Sequence, residues 1–478
     1  MESMPEVEIH AVPLARLAEL LTQPRAAKFI EYGDLARHML RGRTTWNINA
    51  TARGGGVAEM LQTLLAYGRG AGVDTRWVVL SADAEFFSIT KRLHNFLHGT
   101  VGDGGHLGAK ERSHYKAVLE SNVEMATRLV KPGDIVLLHD PQTAGMVQAL
   151  RASGALVVWR CHIGTETTNP QTEIGWSFLR EFIDEADGFI FTRQGYVPSW
   201  VPGEKVAIIP PSLDPFSAKN IRLSEAEVAA ALRQAGIVDM PSDSGSLGFT
   251  RRDGSPGRVR PHRGLTLETE TVPRDVRTVT QVSRWDRLKD MSGVLSAFAE
   301  HIEELPDDVH LLLVGPEVAG VSDDPEGAQV LADCLSLWRR LPAQVRHRTH
   351  LCCLPLDDVD ENAHLVNALQ RHASVVAQKS LVEGFGLTVT EPMWKAQPVV
   401  ATAVGGIQDQ IDDGVNGLLL RDPMDSDAFV TSLRRFLDNP GWAKEVGAQA
   451  QDRVRDRFLG DRHLMQYVDL FASLIEGR

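Results

Sequence analysis

The feature that most constrains this chain is an alternation of short apolar runs with stretches of helical period. Runs at 45–49, 76–80, 135–139, 156–160, 188–191 and 206–209 occupy the first half, and runs at 278–282, 310–314, 350–354, 375–377, 399–401 and 417–420 the second. A strand that is apolar along its whole length is buried on both faces, and strands separated by helices pair in parallel. The pattern predicts an α/β chain of two doubly wound halves. Pro210 and Pro211 interrupt regular structure between the two sets, which puts the boundary at 210–214, with domains at 1–211 and 212–459.

The 478 residues suffice for two or three domains with ample cores. A formal net charge of −13 argues against a nucleic-acid or membrane-surface protein. No apolar run reaches ~18 residues and no hydrophobic leader follows Met1, so neither a membrane span nor a signal peptide is expected. Cys161, Cys334, Cys352 and Cys353 lack metal-ligand spacing, and Cys352 and Cys353 lie in an apolar run as buried thiols; a reducing cytoplasm fits them. The stretch 243–274 is rich in Gly, Ser, Arg and Thr and is expected to be a long, partly mobile insertion. Its Arg251, Arg252, Arg258, Arg260 and Arg263 either reach over a phosphate or are simply solvated.

Chemistry concentrates in two loops of the second half. Glu383-Gly384-Phe385-Gly386 follows the run 375–377 and opens a helix over 387–396, which carries a second acid, Glu391. Gly384 and Gly386 allow close backbone approach and leave amides at a helix N-terminus, where anions bind. Carboxylates flanking such a loop can accept hydrogen bonds from sugar hydroxyls. The other loop, Ser283-Arg284-Trp285-Asp286-Arg287-Leu288-Lys289, follows the run 278–282. The fork of Arg284 and the ammonium of Lys289, outside the carboxyl ends of the strands, suit a phosphate or diphosphate. In the first half, Arg53-Gly54-Gly55-Gly56 opens a helix after the run 45–49 without the Gly-x-Gly-x-x-Gly spacing, and no ribose-binding acid follows the next strand. A nicotinamide enzyme is therefore disfavoured. Those glycines either face a ligand or form a tight turn.

The Arg-x4-Lys loop, Glu-Gly-Phe-Gly with its Glu-x7-Glu pair, and Val404-Gly405-Gly406-Ile407, in this order, resemble the retaining glycosyltransferases of family 4. His139-Asp140-Pro141-Gln142, Trp159-Arg160-Cys161-His162, the segment 47–59, Lys91-Arg92-Leu93-His94-Asn95 and Asp323-Asp324-Pro325 are similar to trehalose synthases and to the related retaining trehalose phosphorylases. The resemblance implies the GT-B fold, two Rossmann-like domains facing each other across a cleft, with a last helix at about 460–478 returning to the first domain. It implies that Arg284 and Lys289 hold the donor diphosphate, that Glu383 contacts donor-sugar hydroxyls with Gly384, Phe385 and Gly386 beside it, and that Glu391 takes the ribose. His162 would sit near the donor-sugar 6-hydroxyl; His139, Asp140, Gln142 and Asn49 would line the acceptor pocket, and Gly55 and Gly56 would approach the donor. The implied ligands are a nucleoside-diphosphate glucose with glucose or trehalose, with no protein-bound metal and Mg2+ at most as a counter-ion of the nucleotide. A trehalose phosphorylase and a catalytically silent sugar-nucleotide sensor are the alternatives. The nucleotide base is unread, and the oligomeric state stays open between monomer and homodimer.

Overall fold

The computed structural model describes residues 4–52, 56–239, 246–268, 270–318 and 326–477. The chain forms two compact units, one of Met1–Ser212 with Phe458–Arg478 and one of Leu213–Arg457.

The first unit carries β1 (Thr44–Asn49), β2 (Asp74–Val79), β3 (Ile135–His139), β4 (Leu156–Cys161), β5 (Gly188–Phe191) and β6 (Val206–Ile208) in the order β2-β1-β3-β4-β5-β6. Every pairing is parallel. Val136, Leu138, Val157 and Trp159 enter a core on one face, while Ile135, Leu137, Leu156 and Val158 enter a second core on the other. That two-sided burial is why the runs read as continuously apolar. The helix Gly460–Glu476 supplies Tyr467, Val468 and Phe471 to the second core, and its Asp461 receives a bidentate ion pair from Arg25 at 2.5 and 2.7 Å.

The second unit carries a hairpin of β7 (Gly248–Thr250) and β8 (Pro256–Arg258), then β9 (Arg277–Val282), β10 (Val309–Pro316), β11 (Thr349–Leu354), β12 (Val375–Gln378), β13 (Val399–Thr402) and β14 (Leu418–Leu420). The main sheet runs β11-β10-β9-β12-β13-β14, all parallel. Counted from β9 this is the dinucleotide-fold order, whose direction reverses between β9 and β12. Ligands of open α/β sheets bind outside the carboxyl ends of the strands at that reversal. In the first unit the reversal falls between β1 and β3.

The insertion differs from its expectation. Among its described residues, β7 and β8 pair antiparallel, and the following segment adds to the outer edge of β11 through Leu267 N–H to Leu351 O (2.8 Å) and Cys353 N–H to Leu265 O (2.9 Å). Arg251, Arg252 and Arg260 are bound to carboxylates of this unit rather than extended over a phosphate or solvated. Composition misjudged the segment because its partners lie about a hundred residues downstream. Cys352 is buried as expected, whereas Cys353 is half-buried. Among the described residues, no helix is long and apolar enough to cross a membrane.

Candidate active site

The reversal in the second unit brings the 283–290 and 379–386 loops together. Leu381 N–H donates to Leu288 O (2.8 Å), and buried Gln281 joins both, donating to Lys289 O (2.8 Å) and accepting from Lys379 N–H (3.0 Å). Trp285 fills the base of the first loop and donates to Pro316 O at 3.0 Å. Asp286 caps the turn Arg287–Lys289 by accepting from Leu288 N–H at 2.8 Å. Asp290, in the left-handed region at φ 50°, then caps helix Met291–Glu300 and pairs with buried Lys379. Burial holds the Asp290 carboxyl above its usual range against the opposing pull of Lys379.

This frame sets Lys289 Nζ against Glu383 Oε2 in a direct ion pair. Arg284 belongs to the same loop as Lys289, its Nη2 3.4 Å from Asp286 Oδ2. Arg287 turns instead towards Glu326, at 3.9 Å. Gly386, at φ 87°, reverses the chain into helix Leu387–Trp394, whose first amides lack intrahelical acceptors. Gln410 holds the turn by donating to Phe385 O (2.6 Å) and Gly386 O (3.2 Å), and Gly384 O accepts from Gly406 N–H at 3.2 Å. One turn further on, buried Glu391 accepts from Gln370 Nε2 (3.1 Å) and pairs with Lys219 Nζ (3.4 Å). Two cations, a helix N-terminus and two fixed carboxylates thus share one strand edge, an arrangement able to hold a phosphorylated, polyhydroxylated ligand.

In the first unit, β3 ends at His139 and β4 delivers His162. The imidazoles stack with centroids 5.3 Å apart, His139 Nδ1 lying 3.0 Å from His162 Nε2 and His139 Nε2 3.0 Å from Asn47 Oδ1. Because Asn47 Oδ1 only accepts, His139 Nε2 carries the proton, and His139 Nδ1 accepts from His162 Nε2. Neutral His162 is left with Nδ1 as an acceptor for a hydroxyl. Burial, with Arg160 adding to it, lowers the pKa of both rings, so both stay neutral near pH 7. Asp140 sits at φ 63° and accepts from His162 N–H at 2.7 Å; burial pushes its carboxyl up to about 7. Gln142 is half-buried on the short helix Asp140–Thr143.

Asn49 is buried with its amide committed, accepting from Trp77 Nε1 (2.8 Å) and donating to Thr51 O (2.7 Å), so it shapes the strand exit. Gly56 is the first residue of helix Gly56–Gly70; Gly54 and Gly55, like Asp323, Asp324 and Pro325, lie outside the described residues. Reading the sequence missed Gln281, Lys379, Gln370 and Lys219, and also Arg160, a buried guanidinium that meets His463 Nε2 at 2.9 Å and donates to Ile209 O at 3.1 Å. Among the described residues, no group of three or more His, Cys, Asp or Glu side chains could hold a metal ion.

Solved structures share this architecture at low identity. A sucrose-phosphate synthase from Thermosynechococcus elongatus superposes with a TM-score of 0.63 at 18% identity, over 91% of this chain and 100% of that one. A UDP-forming α,α-trehalose-phosphate synthase from Burkholderia vietnamiensis superposes with 0.67 at 16%, over 91% and 99%. The fold is that of the GT-B glycosyltransferases. The sequence model described as "Trehalose synthase, N-terminal domain" matches residues 47–198, and "Glycosyl transferases group 1" matches 357–453. Trehalose synthases of Pyrococcus horikoshii and Rubrobacter xylanophilus are each 34% identical to the chain, over 91% of both chains and over 93% and 94%, respectively. A trehalose phosphorylase of Pleurotus sajor-caju is 27% identical over 85% of this chain but only 54% of its own. The chain belongs to the trehalose synthase family of glycosyltransferases.

Proposed function

We propose that the protein is a retaining glucosyltransferase that forms trehalose from a nucleoside-diphosphate glucose and free glucose. The observation that carries this reading is the Lys289–Glu383 pair at the carboxyl ends of β9 and β12, with Arg284 in the same loop as Lys289 and Glu391 one turn into helix Leu387–Trp394. A phosphate is held by Arg284, Lys289 and the first amides of helix Leu387–Trp394, while Glu383 and Glu391 accept from donor hydroxyls. Two sites eight residues apart suit a nucleotide joined to a sugar better than inorganic phosphate alone.

The proposed step breaks the bond from the glucosyl anomeric carbon to the donor phosphate oxygen. It forms a bond from the same face to the acceptor hydroxyl oxygen, whose proton passes to the departing phosphate. No redox partner enters. Arg284 and Lys289 stabilise the leaving diphosphate, so the reading requires no protein-held metal, and Mg2+ serves as a counter-ion of the nucleotide. His162 accepts a sugar hydroxyl, and His139, Asp140 and Gln142 belong to the acceptor side.

Incubation with uridine, adenosine and guanosine diphosphate glucoses plus glucose tests the reading. Trehalose formation that depends on one of these donors is expected. Glucose 1-phosphate made from trehalose and phosphate, with no turnover of any nucleotide donor, would instead establish a phosphorylase.

A further inference from the structure

Asp357, Asp358, Asp360 and Glu361 crowd the turn from β11 into helix Val359–His372. Four carboxylates at one helix start repel one another beyond what a helix N-terminus offsets. The segment that follows β7 supplies the counter-charges. Arg251 pairs with Asp358, and Arg252 Nε donates to Asp360 at 2.8 Å. Arg260 donates from Nη1 and Nη2 to Asp357 (2.6 and 3.0 Å), and from its backbone N–H and Nε to the two oxygens of fully buried Glu361 (both 2.6 Å). His262 adds a contact to Glu361 at 3.1 Å, and Phe249 stacks on buried His364 with centroids 5.0 Å apart.

The far end of the same helix carries Gln370, fully buried. Its amide donates to Glu391 Oε2 at 3.1 Å, and its carbonyl accepts from Lys395 Nζ at 2.7 Å. The helix therefore joins the arginine cluster to the carboxylate assigned to the donor ribose.

We propose that the 246–268 segment is a positioning clamp for the donor site: Arg260, closed on Glu361, fixes helix Val359–His372 and, through Gln370, the carboxylate of Glu391. The clamp rests on the donor reading of Glu391. Arg260 is a positioning residue, remote from the reacting atoms.

Arg260→Ala is the primary variant because that side chain is 45% exposed and belongs to none of the apolar clusters of this unit. It is expected to raise KM for the nucleotide-glucose about tenfold, the size of one charge-assisted hydrogen bond between the donor ribose and a displaced Glu391, with kcat within about twofold. It should also speed amide hydrogen exchange in residues 387–394. Gln370→Ala should give the same KM-selective change, and the double variant should be no worse than the more impaired single, as for residues in one chain of contacts. A lowered melting temperature with unchanged KM and unchanged exchange would overturn the proposal, as would fully additive KM effects. Titration of wild-type protein with uridine, adenosine and guanosine diphosphates separates the two claims. If none binds, the donor reading fails, while faster exchange in 387–394 would still establish the mechanical coupling.

Discussion

At the residue scale the account turns on Lys289. Its ammonium pairs with Glu383 and its backbone carbonyl accepts from Gln281, which also binds the backbone of Lys379, so the side chain is already placed for an anion. Lys289→Ala should lower kcat by ~10²–10³-fold, as expected when one preorganised contact to a developing anion is lost. Glu391→Gln should act mainly on KM, because a ribose contact is equal in ground and transition states. Steady-state kinetics of both variants check this; a kcat defect confined to Glu391→Gln would exchange the two roles. Arg284, Lys289, Glu383 and Glu391 were legible because each stands in a short motif. Gln281, Lys379, Gln370 and Lys219 were not, since their partners are remote in the chain and a lone Gln or Lys has no local signature. Asn49 shows the converse. The resemblance put it on the acceptor side, and the structure shows its amide binding Trp77 and Thr51.

Elements were legible where the two faces of a sheet are buried alike. The sequence places β3 and β5 at their observed bounds, yet starts β9, β10 and β11 one residue late. At β9 the added residue is Arg277, which is polar and joins through a salt bridge to Asp308 at 2.7 Å, a contact that apolar periodicity does not register. The hairpin β7–β8 was invisible because its three-residue strands place one apolar side chain, Phe249, in a core and rely on arginine ion pairs besides. The sharpest element-level test is the turn into helix Leu387–Trp394. A Cβ at Gly386 would meet Glu383 Cγ and Ile407 Cγ1 at 3.1 Å, in a backbone conformation unfavourable to any L side chain. Gly386→Ala should cost about 1–2 kcal/mol of stability and weaken donor binding together with it. Denaturant unfolding and donor titration measure both; a variant of normal stability and affinity would show that the turn is not strained.

For the whole molecule, buried neutral histidines set a pH dependence. Burial holds His310 and His350 at about 4 and keeps His139, His162 and His463 well below their usual value. Each depressed base is neutral when folded but takes a proton when unfolded below ~6.5, so the stability it contributes is complete above ~6.5 and is lost as pH falls towards about 4. Asp140, raised to about 7, opposes this, since its contribution is lost as pH rises from ~3.9 to about 7. Asp290, also raised by burial, acts in the same sense as Asp140; five histidines outweigh these two carboxyls, and the melting temperature should be lower at pH 5 than at pH 7.5. Replacing His310 and His350 with leucine should narrow the difference; a flat or inverted profile would contradict the assignment of neutral rings. The doubly wound halves were readable because alternation is a property of long stretches, whereas the pairing of the histidines depends on tertiary placement. The central claim is a transfer of glucose from a nucleotide, and carbon-13-labelled glucose follows it most directly. With unlabelled nucleoside-diphosphate glucose as donor, the account predicts α,α-trehalose labelled in one ring and an equal yield of nucleoside diphosphate. A β-linked product, or label that enters trehalose only when glucose 1-phosphate replaces the nucleotide donor, would contradict it.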